Sequence, residues 1–197
     1  NNLLRLEKMG IDAWWMDSTE PDHLSFKESD LELPTADGSF RSVRNAYPLL
    51  GVEGVYDNQR AYTSDRRVCI LTRSAYTGQQ RTGANVWSGD IQSTWHSLRC
   101  QIPAGLGFAL TGNPNFNTDL GGFFANPYND RGKFGSAVHN PKFQELYVRW
   151  MQYGIFSPMM RSHGTEVPRE IPLYGKPGDI VYDALVGAVK MRYSLLP

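Results

Sequence analysis

Five times along this chain a short apolar run ends on a charged or titratable side chain, and between those runs the hydrophobic spacing turns helical. Asp17 follows IDAWWM, Arg73 follows VCILT, Asp90 follows NVWSG, Asp119 follows NFNT, and Arg161 with His163 follows FSPMM. Short strands alternating with helices call for crossover connections, so the expected fold class is α/β with a parallel sheet, not a set of hairpins. In a parallel sheet or barrel the strand ends all point the same way, and the residues that follow them converge on one face. That face is the expected site.

The pattern between these ends sets the elements. Residues 2–9 read as the tail of a helix, and Ile11 to Met16 as a strand too continuously apolar to be half exposed. Residues 18–43, rich in Ser, Asp, Glu and Pro, read as a long functional loop. A helix is expected over 45–63, with Leu49, Val52 and Tyr56 on one face and Pro48 in its first turn. Val68 to Thr72 and Asn85 to Ser88 follow as strands. A helix then starts near Ser93, whose hydroxyl can cap it, and Pro103 should bend or end it. A further strand ends near Asp119. In NPKFQELYVRWMQYG, Asn140 caps, Pro141 takes the first position, and Phe143, Leu146, Tyr147, Trp150 and Met151 form a helical stripe that Gly154 closes. Ile155 to Met160 reads as the next strand and 179–195 as a final helix.

Composition narrows the function. The 197 residues, 41% hydrophobic, suffice for one sizeable core. Lysine plus arginine equal aspartate plus glutamate at 20 each, so no global field draws in a polyanion, and nucleic acid is not an expected partner. No stretch approaches the ~20 apolar residues of a membrane span. Cys69 and Cys100 read as buried free thiols. His23, His96 and His139 lack metal-ligand spacing, and the glycines of GLGFALTG lack that of a phosphate loop. Glu20 and Asp22 read as solvated loop acids or acceptors for nearby amides, and Trp14 as core, on the opposite side of its strand from Trp15. The chain opens on NNLLRLEKMG and stops at SLLP within a helical pattern, which reads as part of something longer.

Carboxylates, two guanidiniums, an imidazole and the indoles of Trp15 and Trp87 suit a neutral polyhydroxyl ligand. Hydroxyls take paired donors and acceptors, and indole faces cover the C–H side of a sugar ring. Two carboxylates in one pocket can also cleave a glycosidic bond, one ionised near the anomeric carbon and one protonated near the leaving oxygen. Asp17, near Arg73 or Arg161, suits the first role; Asp90, beside Trp87 and Ile91, suits the second. Each aspartate has a plainer reading, as a cap of the turn or helix that follows its strand.

WWMDSTEPD, TRSAYTGQQRTGANVWSGD, TDLGGF and MRSHGTEVPREI resemble, in order and in approximate spacing, the successive motifs of glycoside hydrolase family 31. The resemblance covers nearly the whole chain. It implies a (β/α)8 TIM barrel of which residues 1–197 form the C-terminal part, roughly strands 4 to 8, within a longer multidomain protein. It implies a retaining exo-α-glycosidase with Asp17 as nucleophile and Asp90 as general acid/base. Trp15 and Trp87 match subsite walls, Arg73, Asp119 and His163 groups that bind sugar hydroxyls, Phe123 an aromatic lining, and Arg161 a buttress for the carboxylates. Ser162 stands where many members have asparagine, and Ser18 where the residue is often larger. No metal or organic cofactor is implied. The loop RSHGTEVPREI and the run WWMDSTEPD look most like the α-xylosidase members, which act on xyloglucan oligosaccharides. α-Glucosidase or α-transglucosylase activity is the alternative, and a catalytically dead carbohydrate-binding scaffold is a reading of another class.

A five-stranded portion of a barrel has two open edges and an unfilled interior, so it should need strands 1 to 3 for stability. The purified 197-residue chain is therefore expected to show no turnover of an aryl α-glycoside; measurable hydrolysis by that chain contradicts this.

Overall fold

The computed structural model describes residues 2–21 and 27–196, so Asp22 and His23 lie outside the described residues. The chain forms two compact units, Asn1–Trp87 with Thr111–Asn115, and Ser88–Leu110 with Phe116–Pro197.

The first unit contains helix α1 (Asn2–Lys8), strand β1 (Ala13–Met16), helix α2 (Tyr47–Tyr62), strand β2 (Cys69–Thr72) and strand β3 (Asn85–Trp87). All three strands run parallel, with Ala13 opposite Cys69, Met16 opposite Thr72, and Leu71 opposite Asn85. β1, α2 and β2 therefore make a βαβ unit, as the alternating pattern requires. Trp14 packs with Val52, Val55 and Ile70, and its Nε1 donates to Gln59 Oε1 at 2.8 Å, so the buried indole N–H is satisfied.

Three expectations for this unit are corrected. β1 is half exposed: with a side-chain period of two, Trp14 faces α2 while Trp15, 56% exposed, stands on the other face. The stretch read as a long loop holds the one-turn helices Glu28–Leu31 and Phe40–Val43 and a small antiparallel pair, Pro34–Thr35 with Gly38–Ser39. Cys69 is a free thiol but exposed, because it begins β2 before the strand enters the core.

The second unit contains helix α3 (Trp95–Leu110), strand β4 (Phe116–Asn117), helix α4 (Pro141–Gly154) and helix α5 (Ile180–Leu195). α4 follows its sequence signature closely. Asn140 Oδ1 accepts from Lys142 N at 3.0 Å, and Phe143, Leu146, Tyr147, Trp150 and Met151 are all buried. Leu185 and Ala188 of α5 complete that core.

Here too the structure departs from expectation. Thr94, not Ser93, caps α3: Thr94 Oγ1 accepts from Ser97 N at 3.0 Å, while Ser93 N is committed to Phe124 O at 2.9 Å. Pro103 sits inside α3, which continues to Leu110; it is exposed, so the carbonyl it leaves without a partner can face water. Cys100, on the same helix, is exposed rather than buried. Ile155 to Met160 is not a strand. The carbonyls of Ile155, Ser157 and Pro158 turn toward the Arg192 guanidinium of α5, at 2.8, 2.6 and 2.9 Å, instead of joining a ladder. Among the described residues no helix is long and apolar enough to cross a membrane.

Gly154 closes α4 against Leu120: a Cβ there would lie 2.7 Å from both Leu120 Cδ atoms, and Leu120 is fully buried. Gly154→Ala is expected to destabilise the fold by about 1–3 kcal/mol through overpacking. Chemical denaturation of the full-length protein measures it; an unchanged midpoint would show that Leu120 has room to move.

Candidate active site

In the first unit the polar residues cluster where β1 and β2 end. The ladder runs one bond past the strands, Arg73 N donating to Met16 O at 3.3 Å, so Asp17 and Arg73 leave the sheet side by side. Arg73 Nη1 lies 3.1 Å from Asp17 Oδ1, and Arg73 Nε lies 2.5 Å from Glu20 Oε1. The guanidinium is 12% exposed and sits between two more open carboxylates. Ser18, at a left-handed φ of 56°, turns its N–H back to Asp17 Oδ1 at 2.8 Å. Below this turn, Thr19 Oγ1 bonds the hydroxyls of Thr72 and Ser74 at 2.9 and 2.8 Å and accepts from Ser74 N at 3.1 Å. Asp17 is thus oriented by an amide and a cation and still open to solvent.

Trp15 and Trp87 stand 6.0 Å apart between ring centroids, tilted by 39°. Trp87 is 2% exposed, so it backs Trp15, and Trp15 carries the open indole face.

In the second unit Asp119 is fully buried and accepts from Arg161 Nη1 at 2.8 Å, with Arg161 19% exposed. Phe123 lies 5.6 Å from the His163 ring, both half-buried. The paired glycines of TDLGGF explain the close approach. Gly121 and Gly122 both have positive φ, and a Cβ on Gly122 would come within 2.6 Å of Ser93 Cα, so only glycine fits. Asp90 is exposed at the start of this unit, just after Gly89.

The structure thus brings Asp17, Arg73, Trp15 and Trp87 together in one unit, and Asp119, Arg161, Phe123 and His163 in the other. Sequence reasoning missed four contributors. Glu20, read as a solvated acid, is an ion-pair partner of Arg73; its spacing three residues after Asp17 was the available signal. Tyr147, read as core only, hydrogen-bonds Ser162 Oγ at 2.7 Å and donates to Arg169 O at 2.9 Å. Burial pushes its phenol up from the ordinary value, and the Ser162 bond works against that shift, so Tyr147 stays a donor. Arg169 lies buried against the Phe143 ring, 5.0 Å from its centroid, and Nη2 reaches Gly122 O at 2.6 Å. Desolvation lowers its pKa, offset by Tyr174 and Tyr147. Glu166, the fourth, holds a left-handed φ of 70° that no sequence pattern announces.

Comparison with known proteins gives these clusters a context. The family model described as "Glycosyl hydrolases family 31 TIM-barrel domain" matches residues 1–197. An α-xylosidase of Saccharolobus solfataricus is 39% identical over 197 residues, covering 96% of this chain and 24% of that protein. The crystal structure of a family 31 α-xylosidase from Xanthomonas citri superposes with a TM-score of 0.84 at 41% identity, over 95% of this chain and 20% of that one. Alpha-glucosidase 2 of Bacillus thermoamyloliquefaciens is 31% identical over 197 residues, 96% of this chain and 22% of the relative. The chain spans about a fifth to a quarter of the length of the proteins it matches.

The Asp119 side chain is fully buried, so removing the Arg161 cation leaves its carboxylate desolvated without that charge. Arg161→Leu is expected to cost about 3–5 kcal/mol of stability, and adding Asp119→Asn should recover part of that loss. Thermal or urea unfolding of the two variants measures both; equal stability of single and double variants would show that the charge is held by other groups.

Proposed function

The chain belongs to glycosyl hydrolase family 31, and from that membership we propose that the protein carrying it is a retaining exo-α-glycosidase that removes α-linked xylose from xyloglucan-type oligosaccharides. The observation that carries the reading is Asp17 itself: a carboxylate at a strand end, aimed by the Ser18 amide and the Arg73 guanidinium yet still open. The names of the α-xylosidases at 39% and 41% identity support the sugar.

Asp90 protonates the leaving oxygen while Asp17 attacks the anomeric carbon; the C–O bond breaks and a covalent glycosyl-enzyme forms. Water then gives a proton to Asp90 and attacks the same carbon, the bond to Asp17 breaks, and the sugar leaves with its α configuration retained. Retention asks for the two carboxyl groups to act about 5–5.5 Å apart. Arg73 fixes the Asp17 carboxylate at the strand end. Trp15 covers the apolar side of the sugar, backed by Trp87; His163 bonds its hydroxyls, Arg161 fixes the fully buried Asp119, which would have to turn outward to accept from one of them, and Phe123 lines the ring. The remaining barrel strands come from the rest of the protein, along with part of the surface that decides whether a hydroxymethyl at C5 fits. An α-glucosidase or a transglycosylase is the second reading, favoured by the glucosidase relative at 31% identity. A dead scaffold would have lost Asp17 or Asp90, and both are present.

Full-length protein offered aryl α-xyloside and aryl α-glucoside side by side is expected to prefer the xyloside. Asp90→Asn should lower kcat by about 10²–10⁴-fold, and a trapped fluoroglycosyl adduct should map to Asp17. An adduct on any other residue overturns the nucleophile assignment; preference for the glucoside replaces the first reading with the second.

A further inference from the structure

The motif MRSHGTEVPREI holds more than its sugar-facing side chains, and the strained residue at its centre has no role yet. We propose that Glu166 is a positioning residue: it clasps the segment carrying Asp119 and Phe123 to the loop carrying Arg161 and His163, and so sets the geometry in which those groups meet a sugar. The inference rests on the glycosidase reading above.

A non-glycine residue at a φ of 70° is uncommon and persists where surrounding bonds over-determine it. At Glu166 those bonds run in two directions. Its carboxylate accepts from Ala125 N at 3.0 Å and Asn126 N at 2.6 Å, and its carbonyl accepts from Asn129 Nδ2 and Gly135 N, both at 3.0 Å. An ionised acceptor makes the first pair stronger than neutral bonds. Beside the Arg161–Asp119 ion pair, the two segments are also stitched through main-chain atoms. Leu120 N donates to Arg161 O at 3.1 Å, Thr165 N to Phe123 O at 2.9 Å, and Arg169 Nη2 to Gly122 O. Asp119 is the carboxylate at one end of the seam, and Glu166 closes the far end, two residues beyond Phe123. It adds a charged bond to the main-chain ones that flank Phe123 and His163, 5.6 Å apart.

The test uses the full-length protein with two variants. Glu166→Gly accepts the left-handed backbone freely and deletes the clasp; Glu166→Gln keeps an acceptor oxygen and loses the charge. Glu166→Gly is expected to raise KM for aryl α-xyloside by ~10-fold, the scale of one lost charge-assisted hydrogen bond, with kcat changed far less and Glu166→Gln falling between. A fluoroglycosyl trap should still label every molecule, only at higher concentration. Wild-type KM in Glu166→Gly overturns the proposal, as does a reduced labelled fraction at unchanged KM, which marks a merely structural role. Should the wild-type protein cleave neither glycoside, the glycosidase reading fails and hydrogen exchange judges the clasp. Lost protection at Ala125, Asn126 and Thr165 in Glu166→Gly then supports it, and unchanged protection overturns it.

Discussion

Met16 stands opposite Thr72 in a parallel ladder, and the next bond, from Arg73 N to Met16 O, carries that register beyond the strands. Everything in the first cluster depends on this pairing. A slip of one residue would turn Trp14 to solvent, Trp15 into the core, and Asp17 away from Arg73. The register is held from below by Trp14, whose indole is buried on α2 and bonded to Gln59, and by the hydroxyls of Thr19, Thr72 and Ser74. Hydrophobic packing thus decides where the Asp17 carboxylate points, and the guanidinium between Asp17 and Glu20 keeps it there.

The second cluster solves the same problem differently. β4 has only two residues, so a long ladder does not align it. Its order comes from buried and part-buried polar bonds: Asp119 with Arg161, Tyr147 with Ser162 and the Arg169 carbonyl, and Arg169 with Gly122. Such networks are costly when any member is missing, because a buried unpaired group has no water to replace its partner. Ser162 keeps a hydroxyl within reach of Tyr147.

What could be read from sequence was whatever a local periodicity or a local cap encodes. The stripe of α4, its Asn140 cap and the split between Trp14 and Trp15 all lie within a few residues of their cause, and the parallel pairing follows from the alternation of strand and helix patterns. The family resemblance supplied the fold at large, and the family match bears it out. The failures share a different origin. Ile155 to Met160 has strand composition, but Arg192, thirty and more residues later, takes its carbonyls. Ser93 has the right chemistry for a cap, but its amide bonds Phe124 O and the helix starts a residue later, under the Thr94 hydroxyl. Glu20 looked solvated because its partner, Arg73, is distant in the chain. Each miss is a tertiary contact overriding a sound local preference.

The unequal burial of the five tryptophans has an optical consequence. Trp14, Trp87 and Trp150 are shielded, while Trp15 is 56% and Trp95 44% exposed. Intrinsic emission therefore divides into a blue-shifted fraction from the interior and a red-edge fraction from two indoles, of which one lies two residues before Asp17 and the other begins a helix. Replacing Trp95 with phenylalanine would leave Trp15 as the dominant long-wavelength emitter, a built-in spectroscopic probe for events beside Asp17 with no dye attached.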